Sequence, residues 1–180
     1  MLGVAIDVQM YRLFIIIIFC FIIFPFSTFA GEDASKSTLP NSSGLPIPRF
    51  ISLKSNEVNV RTGPGTRYPI SWVYHRAGMP VEVVEEFDMW RKIRDIDGTM
   101  GWVHRTMLDG KRNVMIKGKN AQMVRSDPEK DAKAIIKVEP TFVAKLLVCA
   151  KAWCKIKVED SKGWIEKTAI WGVYPDEIIE

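Results

Sequence analysis

The chain has 180 residues, enough for one ordinary domain or two small ones. Its apolar fraction of 47% and charged fraction of 26% are those of a globular protein, which excludes a disordered or fibrous chain. The net charge of +4 is small and no run of basic residues concentrates it, so nucleic acid is not expected as a partner.

Residues 1–30 have the pattern of a cleavable signal peptide. The apolar run Leu13 to Phe26 is followed by the small residues Thr28 and Ala30, placed as a signal peptidase requires. An uncleaved membrane anchor is the alternative, but the run is short and contains Pro25. Cys20 has further apolar residues after it, which argues against a lipid anchor. We expect export to the periplasm or the medium, with no membrane contact after cleavage.

The start of translation is open between Met1 and Met10. Arg12 is the only base before the apolar run, and Asp7 opposes it. Translation from Met10 would place Met-Tyr-Arg-Leu directly before the run, which is the more usual arrangement in a signal peptide.

Residues 31–48 are rich in Ser and Pro and are predicted to form a disordered linker. Beyond them the chain repeats itself. Val60-Arg61 returns as Val124-Arg125, Trp90 as Trp153, and Gly101-Trp102 as Gly163-Trp164, at offsets of 64, 63 and 62 residues. Landmarks that keep their order over such a period indicate two copies of one structural unit.

Each unit is predicted to consist of short antiparallel strands. In the first, residues 80–86 and 90–95 alternate apolar and polar side chains; in the second, residues 143–148 and 153–158 do the same. Turn residues separate them at 87–89, 97–99 and 160–163. Only residues 131–138 could form a short helical turn. The fold class is therefore all-β, with two tandem small barrels.

The first unit resembles the bacterial SH3 domain. The resemblance rests on Val-Asn-Val-Arg-Thr-Gly-Pro-Gly-Thr-Arg-Tyr at 58–68, Pro-Val-Glu-Val at 80–83, Trp-Arg-Lys-Ile at 90–93 and Gly-Trp-Val at 101–103. The second unit is a degenerate copy, because Asp-Pro-Glu at 127–129 replaces the Gly-Pro-Gly loop, which we interpret as a turn in which glycine supplies a positive φ. We expect barrel 1 over residues 49–112 and barrel 2, with a C-terminal tail, over 113–180. The resemblance implies a barrel that recognises cell-wall peptides or protein segments; no segment of the chain resembles the wall-cleaving enzymes to which such barrels are often attached.

Two cysteines, Cys149 and Cys154, follow the signal region and lie on either side of a predicted tight turn. In an exported protein an even number of cysteines favours a disulfide. A redox or metal pair is the alternative, but it would need a different spacing or further ligands.

The sequence does not favour an enzyme. His75 and His104 are interpreted as solvated residues at strand ends, without the partners that a zinc site or a nucleophile would need. The carboxylate pairs Glu85-Glu86, Asp95 with Asp97, and Glu159-Asp160 are interpreted as solvated charges at turns. No catalytic residue, metal or cofactor is predicted.

The aromatic residues supply the candidate binding surface. Four tryptophans recur in the repeat, as a barrel core or its lid would require, and are predicted to be core residues: Trp90, Trp102, Trp153 and Trp164. Trp171 is expected to hold down the tail. Trp72 and Tyr74 share a strand face, which is either part of the core or an aromatic strip; a further alternative is that Trp72 packs against the other barrel. Aromatic grooves bind extended peptides in SH3-like barrels. The predicted binding residues are Tyr68, Trp72, Tyr74, Arg61 and Arg67.

The function expected is non-catalytic recognition of peptidoglycan or of envelope peptide and protein segments. The alternative is a scaffold or regulator that binds a partner envelope enzyme. A third interpretation is secretion to bind host proteins.

Overall fold

A computed structural model of the chain describes residues 42–180. The predicted signal peptide and residues 31–41 of the predicted linker lie outside these residues. The described chain consists of two barrels, each a sheet of seven strands joined mostly by tight turns. The predicted fold class, two tandem all-β barrels, is confirmed.

Barrel 1 contains the first seven strands and one turn of 3-10 helix, Arg105–Met107. The strands are β1 (Arg49–Leu53), β2 (Val58–Arg61), β3 (Ile70–Tyr74), β4 (Pro80–Phe87), β5 (Trp90–Arg94), β6 (Met100–His104) and β7 (Leu108–Asp109). They are hydrogen-bonded in the order β3-β2-β6-β5-β4-β1-β7.

Barrel 2 repeats this arrangement and has its own 3-10 turn, Lys167–Ala169. Its strands are β8 (Asn113–Ile116), β9 (Gln122–Arg125), β10 (Ala134–Val138), β11 (Val143–Ala150), β12 (Trp153–Val158), β13 (Ser161–Glu166) and β14 (Ile170–Trp171). Their order, β10-β9-β13-β12-β11-β8-β14, is that of barrel 1 strand for strand. The helical turn considered for residues 131–138 is wrong, because β10 pairs with β9 there. The turn predicted at 160–163 is shorter, since β13 begins at Ser161.

Each barrel has its own apolar core, built from the alternating positions of its strands. In β12 the inward side chains are Cys154, Ile156 and Val158, all buried, while the intervening residues face outward. Glycine is required where two strands cross closely. A Cβ on Gly101 would lie 2.3 Å from Val60 Cγ1, and one on Gly163 would lie 2.6 Å from Val124 Cγ1. This close approach explains why Gly-Trp recurs in both units.

The predicted disulfide between Cys149 and Cys154 is present, and it joins directly opposed residues of β11 and β12. It lies next to the C-terminal tail, because the amide and carbonyl of Cys149 both bond to Ile179. The tail is held further by Arg112, whose guanidinium donates to both carboxylate oxygens of Glu177 at 2.7 and 3.0 Å.

The two barrels contact each other through the β1–β4 side of barrel 1. Asn113 Nδ2 donates to Ser52 Oγ at 3.1 Å and to the carbonyl of Gly78 at 3.0 Å. Phe50 packs against Trp171 and Tyr174, with ring centroids 5.0 and 4.8 Å apart. The interface therefore combines an aromatic cluster with directed hydrogen bonds.

The end of the predicted linker lies against barrel 1. Ser43 donates to the two carboxylate oxygens of Glu86, from its amide at 2.9 Å and from its hydroxyl at 2.8 Å. Ser42 Oγ donates to the carbonyl of Asp88 at 2.8 Å. Residues 42–43 are thus tied to the β4–β5 hairpin.

Candidate functional site: two equivalent grooves

Barrel 1 has a groove of about 390 Å³ between the outer face of β2 and the strand ends around the first 3-10 turn. Trp90 and His104 form its aromatic wall, with ring centroids 5.3 Å apart and planes nearly perpendicular. Its lining residues are Glu57, Asn59, Arg61, Thr66, Trp90, His104, Thr106 and Met107.

Barrel 2 has a groove of about 510 Å³ in the same place. Its lining residues are Lys117, Gly118, Ala121, Gln122, Met123, Arg125, Trp153, Ile165, Glu166, Thr168 and Ala169. Seven of these positions correspond through the repeat to residues of the first groove, among them Arg61 with Arg125, Trp90 with Trp153, and Thr106 with Thr168. The same groove therefore occurs once in each barrel, with different side chains at several of its equivalent positions.

Strand alternation places both groove tryptophans on the outer face. In β5 the buried positions are Arg91 and Ile93, so Trp90 points outward. In β12 Trp153 shares the outward positions with Lys155 and Lys157. The prediction that Trp90 and Trp153 are core residues is wrong, and the lysines that alternate with Trp153 were the signal that could have corrected it.

The other recurring tryptophans are also outside the two core clusters. Lys92 Nζ lies 5.9 Å from the Trp102 ring centroid, and Lys155 Nζ lies 5.7 Å from that of Trp164. Trp102 is buried beneath its lysine, whereas Trp164 is half-buried. The predicted core role is confirmed for Trp102, which is buried although it lies outside the main cluster, and is wrong for the half-buried Trp164. The same lysine–tryptophan pair occurs in each barrel.

Arg61 and Arg125 hold the loop that borders each groove. Arg61 Nη1 donates to the carbonyls of Thr66 and Tyr68 at 3.1 and 2.7 Å, and Arg125 Nη1 donates to that of Ala132 at 2.8 Å. Of the predicted binding residues, Arg61 alone lines a groove. Its guanidinium is partly committed to the backbone, which fixes the shape of the loop.

Arg67 and Tyr68 lie on this loop and contact each other. The Arg67 guanidinium lies 5.1 Å from the Tyr68 ring centroid and also donates to its hydroxyl at 3.3 Å. This contact raises the pKa of Arg67, with the hydrogen bond to Tyr68 as the main cause. Arg67 is exposed and Tyr68 half-buried, so both can be reached from solvent at the rim of the barrel 1 groove.

Trp72 and Tyr74 are half-buried and pack against the core of barrel 1. Their rings meet edge to face at 5.9 Å, which agrees with their expected position on one strand face. The Tyr74 hydroxyl donates to Asp95 Oδ2 at 2.8 Å. Burial raises the pKa of Tyr74 and this hydrogen bond raises it further, so the hydroxyl stays protonated as a donor.

Two of the carboxylates interpreted as solvated are buried. The side chain of Glu86 is fully buried, and its Oε1 lies 2.6 Å from Arg49 Nη2 and 3.1 Å from Arg91 Nε. Asp95 is buried as well, and it accepts bonds from the amides of Asp97 and Thr99 that close the β5–β6 turn. Their positions at turns do not show that residues distant in sequence, Arg49 for Glu86 and Tyr74 for Asp95, would pair with them.

The histidines are not brought together in a metal or catalytic cluster. His75 is exposed after β3, and His104 is half-buried at the end of β6, with its Nδ1 2.8 Å from Thr106 Oγ1. Within residues 42–180 no group of three or more His, Cys, Asp or Glu side chains could hold a metal ion. Over the same residues, no helix is long and apolar enough to cross a membrane.

A protein-family model described as the bacterial SH3 domain matches the chain twice, over residues 54–110 and 118–172. These two ranges correspond to the two barrels and cover more than half of the chain. No curated protein matches it.

Three solved structures are similar to part of the chain. They are NlpC2 of Trichomonas vaginalis (14% identity, TM-score 0.32, 69% of this chain and 48% of that one), an NlpC/P60 family protein from Bacillus cereus (13%, 0.31, 68% and 55%), and NlpC1 of Trichomonas vaginalis (14%, 0.32, 72% and 47%). The chain thus spans about half the length of these proteins.

Proposed function

This chain belongs to the bacterial SH3 domain family, and we propose that it is an exported, non-catalytic module that binds peptidoglycan or peptide segments of envelope proteins through its two grooves. Bacterial SH3 domains are generally cell-wall-binding modules, so the family supports this ligand class. The Cys149–Cys154 disulfide is of the kind that persists in an oxidising compartment, which agrees with export.

The observation that carries the proposal is the duplication of the groove with a tryptophan at the same position. An accessible tryptophan supplies a large apolar surface at little cost in side-chain entropy, which makes it a frequent centre of binding energy. The polar side chains around each tryptophan, such as Arg61 and His104 in barrel 1, can pair with amides and hydroxyls. A polymer with alternating apolar and polar groups suits such a groove.

Co-sedimentation with purified cell-wall sacculi tests the proposal. We expect residues 31–180 to sediment with sacculi, and a Trp90→Ala/Trp153→Ala double variant to stay in the supernatant while retaining its circular dichroism spectrum. Phe142→Ala is the matched control, since Phe142 is an exposed aromatic residue outside both grooves. Wild-type protein that does not sediment would refute wall binding and leave a protein partner, such as an envelope enzyme held by a scaffold or a host protein, to be sought by crosslinking.

The surface expected from the sequence, Tyr68, Trp72, Tyr74, Arg61 and Arg67, stays a prediction. Arg67→Ala/Tyr68→Ala removes the two side chains of this surface that lie on the loop at the groove rim and do not line the groove. Reduced sedimentation of that folded variant would extend the binding surface onto the loop. Unchanged sedimentation would confine binding to the grooves.

A further inference from the structure

A third concave site lies between the two barrels. It is a cleft of about 440 Å³, within the range of roughly 300–1,000 Å³ that is typical of ligand sites. Its walls are mainly apolar and come from Phe50 of barrel 1 and from Ile170, Trp171, Val173 and Tyr174 of barrel 2. It is separate from the two grooves except for Lys117 and Thr168, which line both this cleft and the groove of barrel 2.

The shape of the cleft is fixed before any ligand arrives. The contacts of Phe50 with Trp171 and Tyr174 hold the aromatic wall. The Tyr174 hydroxyl donates to Glu82 Oε1 at 2.8 Å, which joins the tail of barrel 2 to β4 of barrel 1. A site with preformed walls loses little conformational entropy on binding.

The side chains that line the cleft carry a net positive charge. Its cations are Arg94, Lys117 and Lys167, and its one carboxylate is Glu82. Glu82 is buried and already accepts bonds from Arg94 Nε, at 2.8 Å, and from Tyr174. Arg94 is therefore neutralised, whereas the two lysines are not paired with a carboxylate of the cleft.

Lys167 is a buried cation with neutral acceptors. Only 8% of it is exposed, and its Nζ donates to the carbonyls of Pro175 at 3.0 Å and Glu177 at 2.6 Å. The nearby carboxylate of Glu177 is paired with Arg112. Glu177 divides its negative charge between Arg112 and Lys167, so Lys167 is only partly compensated. Because an ammonium has three donors and two are used by carbonyls, the remaining donor and charge of Lys167 favour an anion in the cleft.

Lys117 supplies an accessible cation at the mouth of the cleft. It is exposed, and its ammonium makes no hydrogen bond or ion pair with any of residues 42–180. An apolar cleft with one buried and one accessible lysine complements a ligand that is apolar along its length and anionic at one end. We propose that the inter-barrel cleft binds a short apolar peptide segment through its free C-terminal carboxylate.

The test uses two soluble probes, acetyl-Ala-Leu-Phe with a free carboxylate and the same tripeptide as its amide. Titration into ¹⁵N-labelled protein is expected to shift the signals of Trp171 and Tyr174, and the acid is expected to bind roughly fivefold more tightly than the amide. Lys117→Gln should reduce this difference, since only Lys167 then remains near the carboxylate. Lys167 is a poor choice for substitution, because its loss would also remove the two hydrogen bonds that hold the tail carbonyls of Pro175 and Glu177.

Two control variants locate the site. Lys162→Gln makes the same charge change in β13, at a residue that lines neither the cleft nor either groove, and should leave the preference for the acid intact. Trp153→Ala should leave it intact as well, because Trp153 lines the barrel 2 groove and not the cleft. Equal affinity for acid and amide, shifts centred on Trp153, or no shift up to the solubility limit of the acid would each overturn the cleft proposal and leave the sacculus experiment unaffected.

Discussion

The same cross-strand residue pair is ionic in one barrel and covalent in the other. Glu86 of β4 lies opposite Arg91 of β5, and Cys149 of β11 lies opposite Cys154 of β12. Each pair also anchors an end of the described chain, Ser43 at Glu86 and Ile179 at Cys149. A buried carboxylate between two arginines and a disulfide are thus alternative ways to fix the same hairpin.

Removing the charge of Glu86 should destabilise barrel 1 strongly. Glu86→Gln leaves Arg49 and Arg91 without their shared counter-charge, and we expect a loss of about 3 kcal/mol in the free energy of unfolding by urea denaturation. Glu85→Gln is the matched control. Its side chain is 53% exposed and pairs only with Lys92, so its loss should be below about 1 kcal/mol. Equal effects of the two substitutions would contradict the role given to Glu86.

Glu86 should also make stability depend on pH in the acid range. Burial alone would raise its pKa, but the hydrogen bonds from Ser43 and the pairing with Arg49 outweigh burial and place the pKa below its ordinary value. The unfolded chain therefore takes up this proton first, at about pH 4.3. The contribution of Glu86 is complete above that pH and is lost as the pH falls through its folded pKa. The difference in unfolding free energy between wild type and Glu86→Gln should shrink over this interval; a constant difference would count against the ion pairs.

Gly63 is required by a neighbouring ring rather than by its φ angle. Neither Gly63 nor Gly65 has a positive φ, so the expected turn geometry is wrong. A Cβ on Gly63 would lie 2.5 Å from Tyr68 Cδ1. Barrel 2 has neither partner, since Asp127 and Ala132 occupy the corresponding positions.

Gly63→Ala should therefore cost about 1–3 kcal/mol in the wild type, because the ring of Tyr68 must move. In a Tyr68→Ala background the same substitution should cost little. Thermal denaturation of the four proteins measures this coupling as a double-mutant cycle. Additive effects would place the constraint on Gly63 elsewhere.

At the scale of the strands, the sequence predicted the β-hairpins better than it predicted the two grooves. The alternation in β4–β5 and β11–β12 and the recurrence of Gly-Trp identify the strands, because both are local patterns. The grooves bring together β2, the first residue of β5 and a 3-10 turn, and no local pattern shows that they meet. The family resemblance was confirmed. The burial of Glu86 and Asp95 was not predicted, because their partners Arg49 and Tyr74 are brought to them only by the tertiary fold.

The β11–β12 hairpin should depend on its disulfide. A link that closes a loop of about six residues contributes roughly 2 kcal/mol by restricting the unfolded chain. Cys149→Ala/Cys154→Ala should lose about that much stability, and a reducing agent should lower the melting temperature of the wild type alone. Unchanged stability on reduction would show that the tail contacts of Cys149 suffice to hold the hairpin.

At the scale of the whole molecule, the interface determines how two equivalent grooves can work together. Asn113 is bonded to Ser52 and Gly78, and Tyr174 to Glu82, so the barrels are not joined by the chain alone. Two sites held at a fixed separation bind a repeating polymer with an effective concentration that independent sites lack. The second groove then strengthens binding to the polymer if one ligand spans both grooves.

Comparing the binding of intact sacculi with that of a soluble wall fragment tests whether one ligand spans both grooves. Trp90→Ala and Trp153→Ala, made singly, should each weaken binding to intact sacculi roughly a hundredfold, since either change removes the second contact. For a soluble wall fragment that fills one groove, each should remove only its own site and leave the affinity of the other unchanged. Binding isotherms for both ligands and both variants distinguish the models. If each single variant weakens sacculus binding only about twofold, the grooves act independently, and their shared architecture reflects duplication of the barrel rather than joint recognition.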